Sequence, residues 1–204
     1  MKLFVAIPSG TSVPARFLNC TNQLCFAAKE GLVIEQFFGA GVINARIVAA
    51  NRFLETDCTH LLTIDSDIVN WNGMHVQQLI AREKAIVGGF YMKKQKEQVY
   101  VCSPLKVGEP VEPDAEGLIE LRRIGTGFLL VKREVFERMK EKWRDSETFI
   151  NQQKKEMFNF YPMGVVNREY VSEDWYFCDR ARELGYRIYG DTKVTLGHLG
   201  DHIY

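Results

Sequence analysis

Short apolar runs alternate with stretches of helical period over roughly the first 90 positions, the pattern of βαβ units that feed a mainly parallel sheet. Leu3-Phe4-Val5-Ala6-Ile7 is continuously apolar and stops at Pro8-Ser9-Gly10-Thr11. This predicts a buried strand over 2–7 and a turn into a helix around 14–28. A second strand is expected over 33–38, ended by Gly39 and Gly41, and apolar residues at helical spacing predict a helix over 43–54. His60-Leu61-Leu62-Thr63-Ile64 reads as a strand that delivers Asp65-Ser66-Asp67 at its C-terminal end. A helix over 74–84 and a strand over 85–87, ending in Gly88-Gly89, follow.

Beyond residue 90 the parallel rhythm weakens. Segments 99–104 and 118–123 read as antiparallel strands around a Gly/Pro/Glu-rich turn at 108–117, and Gly125-Thr126-Gly127 opens a strand over 128–131. A charged helix is expected over 133–144. Residues 145–170 show no clear period and read as a mobile loop. Ser172 stands where an N-cap belongs for a helix over 173–184, Gly185 where a C′ glycine belongs, and 186–189 returns as a strand. There is no internal repeat. The expectation is an α/β fold with a mixed, mainly parallel, Rossmann-like sheet flanked by helices.

Composition narrows the class. The chain has 204 residues, 46% hydrophobic and 12% aromatic, which excludes a disordered chain and suits one domain, 1–204. Lys+Arg and Asp+Glu both number 26, so the net charge is zero and a generally basic nucleic-acid coat protein is excluded, although a local patch is not. The charge is unevenly spread: residues 81–160 carry 16 basic and 13 acidic groups, while both flanking segments lean acidic. The first apolar run is too short for a signal-peptide core, and no stretch of about 18 apolar residues predicts a membrane span. Five cysteines, Cys20, Cys25, Cys58, Cys102 and Cys178, form no C-x-x-C pair and read as reduced thiols, so a cytoplasmic location is expected.

Asp65-Ser66-Asp67 carries the strongest chemical signal. Two carboxylates just after a buried strand stand at the sheet edge where open α/β folds bind ligands, and they suit a hard divalent cation that also takes diphosphate oxygens. The same residues can instead form a turn in which Asp side chains bond the local backbone. Gly125-Thr126-Gly127 precedes a strand instead of opening a helix, so it is no dinucleotide fingerprint.

Taken in order, these features resemble the GT-A glycosyltransferases, in particular compact bacterial and bacteriophage members without a membrane anchor. The features are Ile7-Pro8-Ser9, the helix from Asn44-Ala45-Arg46 to Asn51-Arg52, Asp65 and Asp67, Gly125-Thr126-Gly127-Phe128, Ser172-Glu173-Asp174-Trp175, and Gly197-His198-Leu199-Gly200. The resemblance implies transfer of a sugar from a nucleotide-sugar donor, such as a UDP-sugar, to an acceptor hydroxyl. It implies Mn²⁺ or Mg²⁺ held by Asp65, Asp67 and His198. It makes Asp174, with Glu173 second, the general base of an inverting reaction. Acidic residues in a first helical turn are also favoured by the helix dipole alone.

Donor binding is expected at Ile7, Pro8, Ser9, Arg46, Asn51, Asp65 and Ser66, with residues 1–90 as the nucleotide half. Residues 91–204 would complete the metal and acceptor sites, with Gly127 and Trp175 near the sugar or acceptor. The resemblance leaves the acceptor open between a saccharide and a modified base in phage DNA, and a bacterial or infected host cell is the expected setting. For DNA, Lys93-Lys94-Gln95-Lys96 would meet phosphates and Phe158-Asn159-Phe160-Tyr161 an extruded base. A solvated turn and a packed loop are the other readings of those two segments. A sugar-phosphate nucleotidyltransferase is the competing enzyme class, but Pro8-Ser9-Gly10-Thr11-Ser12 lacks the basic residues such a loop carries. A non-catalytic nucleotide-sugar binding module is the third reading.

Overall fold

A computed structural model describes residues 1–24, 31–38 and 41–204. Its centre is an eight-stranded sheet built from β1 (Leu3–Ser9), β2 (Leu32–Phe38), β3 (His60–Ile64), β5 (Ile86–Phe90), β6 (Cys102–Pro104), β7 (Leu118–Ile124), β8 (Phe128–Lys132) and β13 (Ile188–Thr195). The strand order is β2-β1-β3-β8-β5-β13-β7-β6. β1 pairs in parallel with β2 and β3, and β5 with β13, while β8 and β7 run against their neighbours. The sheet is therefore mixed, with most strands pointing one way. Strands from both sequence halves interleave in it.

Alternation along the strands divides the core in two. Phe4, Ala6 and Leu61 face one side of the sheet, where α2 (Gly41–Leu54), α4 (Arg133–Lys142) and α6 (Glu173–Glu183) contribute Ala49, Phe53, Phe136 and Phe177. Leu3, Val5, Ile7, Leu62 and Ile64 face the other, against Phe17 of α1 (Ala15–Thr21) and Val76 and Leu79 of α3 (Gly73–Ala81). This two-sided burial is why β1 and β3 are apolar runs without polar alternation. α3 starts at a capping box: Asn72 Oδ1 accepts from Met74 N and His75 N, and Asn72 N donates to His75 Nδ1. Among the described residues no helix is long and apolar enough to cross a membrane, and Cys20, Cys58, Cys102 and Cys178 are free thiols. Cys25 and Gly39 lie outside the described residues, as does the end of the helix expected over 14–28.

Three expectations are corrected. Gly88 and Gly89 do not end β5 but lie inside it, where side chains of Ile124 and Leu129, and of Val194 and Leu196, fill the space a Cβ would take. The strand expected over 186–189 runs on to Thr195. Residues 145–170 are not a loop: after the short α5 (Arg144–Glu147) they form two hairpins, β9 (Thr148–Ile150) with β10 (Glu156–Phe158), and β11 (Gly164–Val166) with β12 (Glu169–Val171). Phe158, Phe160 and Tyr161 are buried in the core, with Phe160 against Phe136 and Tyr161 against Phe177, so these three rings offer no surface to a base.

Two further strands matter for the site. β4 (Ile68–Val69), just after Asp65-Ser66-Asp67, pairs antiparallel with β14 (Gly197–His198), and Leu199 N donates to Asp67 O at 2.7 Å. The C-terminal segment is thereby stitched to the Asp65–Asp67 turn.

Candidate functional site

β1, β3, β5 and β13 point in one direction, so their C-terminal ends reach the same edge of the sheet and deliver Pro8-Ser9, Asp65, Tyr91 and, two residues past Leu196, His198. α2 begins just past β2, which places its first turns at that edge, and α6 presents its N-terminus there. Between them opens a cleft of about 600 Å³. Ser9, Arg46, Asp65, Ser66, Asp67, Glu173, Asp174 and His198 all line it, in company with Pro8, Gly41, Val42 and Tyr91.

Arg46 is the centre of the site. It is only 5% exposed, yet its guanidinium meets two carboxylates. Nη2 donates to Asp65 Oδ1 at 2.9 Å and Oδ2 at 2.7 Å, and Nη1 donates to Glu173 Oε1 at 2.5 Å. Burial alone would lower its pKa; Asp65 and Glu173 outweigh that and raise it, so the group is a fixed cation. One side chain thus ties α2, the end of β3 and the start of α6 into a single unit.

Glu173 and Asp174 are separated by their partners. Glu173 is bound to Arg46, whereas Asp174 Oδ1 accepts from Trp175 N at 2.8 Å and from the Ser172 hydroxyl. Ser172 occupies the N-cap but makes no capping bond with its side chain, because its hydroxyl goes to Asp174. Both carboxylates sit in the first turn of α6, where the helix dipole favours negative charge.

At the other end of the cleft, Asp67 Oδ2 lies 2.5 Å from Lys94 Nζ and 3.6 Å from His198 Nε2. Burial raises the Asp67 pKa, but hydrogen bonds and charge from His198 and Lys94 prevail and hold it at about 2. The second oxygen, Asp67 Oδ1, is buried and has no hydrogen-bond partner among the described residues. His198 Nδ1 lies 2.7 Å from Met92 O. A carbonyl can only accept, so Nδ1 carries a proton; Nε2 donates to Asp67 when it is protonated as well, and turns its lone pair toward that carboxylate when it is not.

These observations test the expected cation. Among the described residues no three His, Cys, Asp or Glu side chains gather to hold a metal ion. Both oxygens of Asp65 accept from Arg46, and among the described residues Asp65, Asp67 and His198 are not gathered as one set. Asp67 and His198 do fit: Asp67 Oδ2 lies 3.6 Å from His198 Nε2, Oδ1 of the same carboxylate has no hydrogen-bond partner among the described residues, and the imidazole is oriented by a backbone carbonyl as metal-binding histidines usually are.

Four expected contacts fall elsewhere. The Ile7 side chain is in the core beneath the cleft. Asn51 is buried on another face of α2, where Nδ2 donates to Ile47 O and Phe158 O, both at 2.8 Å, and Oδ1 accepts from Phe158 N at 2.9 Å. It anchors the 145–170 segment and does not reach the cleft. Trp175 lies outside the cleft lining, with the Arg123 guanidinium 5.9 Å from its ring centre. Gly127 is buried behind Asp65: its N donates to Tyr91 Oη at 2.9 Å and its O accepts from Asp65 N at 2.9 Å. A Cβ there would stand 2.7 Å from Tyr91 Oη and 3.0 Å from Asp65 Oδ2. The Gly-Thr-Gly run therefore makes room for the Tyr91 phenol.

Tyr91 and Lys94 are the site residues that sequence reasoning missed. Tyr91 packs edge-on against His198, with ring centres 5.2 Å apart, and burial keeps its hydroxyl protonated. Its position just after a strand that ends at the same sheet edge as β3 was a usable signal. Lys94 was hidden inside a basic run that reads as an ordinary surface turn.

No family model and no curated protein matches the sequence. Among solved structures, A197 from STIV is similar at 21% identity with a TM-score of 0.63, covering 98% of this chain and 87% of that one. S. aureus TarS is similar at 14% identity with a TM-score of 0.50, covering 96% of this chain and 36% of TarS. The fold is of the GT-A type. At these identities the likeness is one of GT-A architecture, and any chemistry must be argued from the site.

Proposed function

We propose that this chain is a metal-dependent glycosyltransferase that moves a sugar from a nucleotide-sugar donor, in the first instance a UDP-sugar, to an acceptor hydroxyl. The observation that carries the reading is the Arg46 unit. A buried cation holds Asp65 and Glu173 beneath a cleft whose far wall is Asp67 and His198, at the sheet edge where α/β folds bind nucleotides. The GT-A architecture shared with A197 and TarS supports the same reading.

Asp67 and His198 would hold Mn²⁺ or Mg²⁺, whose charge would offset that of the departing diphosphate. Pro8 and Ser9, at the end of β1, line the wall where the nucleoside would rest, with Ser66 beside them. Arg46 keeps Asp65 pointed into the cleft and holds Glu173 as its partner. That leaves Asp174 to take the acceptor proton as the hydroxyl attacks the anomeric carbon, with Ser172 and Trp175 N orienting its carboxylate.

Release of nucleoside diphosphate from a panel of nucleotide sugars, with Mn²⁺ or with EDTA, tests the reading. Mn²⁺-dependent release supports it. No release would overturn it: a thermal shift by a nucleoside diphosphate would then favour the binding module, and no shift would exclude both readings.

A further inference from the structure

Among the described residues two cations of very different character meet the cleft's carboxylates, Arg46 within its lining and Lys94 outside it. Arg46 is buried and makes three charge-assisted hydrogen bonds to two carboxylates. Lys94 is 36% exposed in its side chain, and among the described residues its one ion-pair partner is Asp67, through a single contact at 2.5 Å. Its backbone is fixed nonetheless. Lys93 N donates to Val99 O, Met92 bridges to Tyr100, and Met92 O orients His198. Its stem lies over Gly200, where a Cβ would come within 3.4 Å of Lys94 Cδ. A fixed backbone with a flexible four-carbon stem gives a tethered charge at the rim, next to the carboxylate whose other oxygen is orphaned.

We propose that Lys94 is a built-in counter-cation: its ammonium occupies Asp67 in the empty cleft, yields that carboxylate to a divalent cation, and moves onto the donor's phosphate. The inference rests on the cation site at Asp67 and His198 put forward above. Among the described residues four carboxylates line the cleft against one buried guanidinium, so without Lys94 these groups would carry a strong unbalanced negative charge. An exposed ammonium–carboxylate pair is weak enough to be exchanged, and a divalent ion shared between a carboxylate and an imidazole would displace it. Because Lys94 is bound to Asp67 before the exchange and free for phosphate after it, cation and nucleotide should each strengthen the other's binding.

Mn²⁺ binding followed by electron paramagnetic resonance tests this without turnover. Lys94→Met should bind Mn²⁺ about two- to five-fold tighter than the parent, the factor by which an exposed pair holds its carboxylate. Lys96→Met removes the same charge two residues away and should leave the affinity within error. UDP should tighten Mn²⁺ binding by a larger factor in the parent than in Lys94→Met. Equal Mn²⁺ affinity in parent and Lys94→Met, or equal tightening by UDP, overturns the role of Lys94 while leaving the cation site standing. A parent and variant that both fail to bind Mn²⁺ overturn the cation site and this inference together.

Discussion

Arg46 Nη2 grips both carboxylate oxygens of Asp65, at 2.9 and 2.7 Å, from a position almost closed to solvent. The same guanidinium holds Glu173 Oε1 at 2.5 Å, so removing it would strand two partly buried carboxylates at once. Breaking a buried pair by removing one partner costs about 3–5 kcal/mol. Arg46→Ala should therefore lower urea stability by about that amount and abolish transfer. Arg46→Lys keeps the charge but not the fork that reaches both carboxylates, and should fall between parent and Arg46→Ala in stability. Equal stability of Arg46→Ala and the parent would show that the network has no structural weight.

The neighbouring acids should separate cleanly. Asp174→Asn leaves the Arg46 pairs intact, so it should reduce turnover about 10²- to 10⁴-fold, as loss of a general base does, with little change in stability. Glu173→Gln weakens a charge-assisted bond at a buried guanidinium and should lose about 1–3 kcal/mol in urea unfolding. Turnover that survives in Asp174→Asn but not in Glu173→Gln would exchange the two roles.

Much of this arrangement was legible in the sequence because β1 and β3 are buried on both faces, which produces runs that only a buried strand explains and ends them at Pro8 and Asp65. What stayed hidden depended on tertiary contact. Arg46 and Asn51 are both polar residues on one amphipathic helix, but five residues at 100° each put them about 140° apart, so they cannot face the same ligand. Nothing local says which of them meets the cleft. The hairpins of 145–170 have strands of three residues, too short to show a period, and they are held by the burial of Phe158, Phe160 and Tyr161. Gly88 and Gly89 look like a strand end because glycine weakens strands, whereas here flanking side chains require them inside one.

Gly127 offers a test of the Tyr91 seat. A methyl group there would press on a nearly buried phenol 2.7 Å away and on Asp65 Oδ2 at 3.0 Å, which can give way only toward the cleft. Gly127→Ala should cost about 1–3 kcal/mol, as overpacking does, and lower transfer by displacing Asp65. Gly10 lines the same cleft, and a methyl group there would meet nothing within 4 Å among the described residues, so Gly10→Ala serves as the control and should be stable. A fully stable Gly127→Ala would mean that Tyr91 can move aside.

Asp67 and His198 should account for cation dependence. Asp67→Asn and His198→Gln are each expected to fold but to lose the Mn²⁺-dependent part of the thermal shift given by UDP. For the parent, ligand at 100 times its dissociation constant adds about 2.7 kcal/mol. A full shift in Asp67→Asn would remove this carboxylate from the site.

His60 should set part of the acid limb of stability. It opens β3 opposite Lys132, half-buried, with Nδ1 2.9 Å from the Thr59 hydroxyl. Burial, and then the Lys132 charge, push its pKa down to about 4 from the usual 6.5. Above pH 6.5 the ring is neutral in both folded and unfolded chains, and stability does not depend on it. Between pH 6.5 and about 4 the unfolded chain takes up a proton that the folded chain refuses, so stability falls as pH falls. Below the folded value both are protonated and the loss is complete. His60→Gln removes this contribution, so the drop in urea midpoint from pH 7 to pH 5 should be smaller than in the parent. Other groups that titrate in this window act equally in both proteins, so the difference between the two curves isolates His60. An unchanged drop would mean that the ring becomes protonated in the folded chain as readily as in the unfolded one.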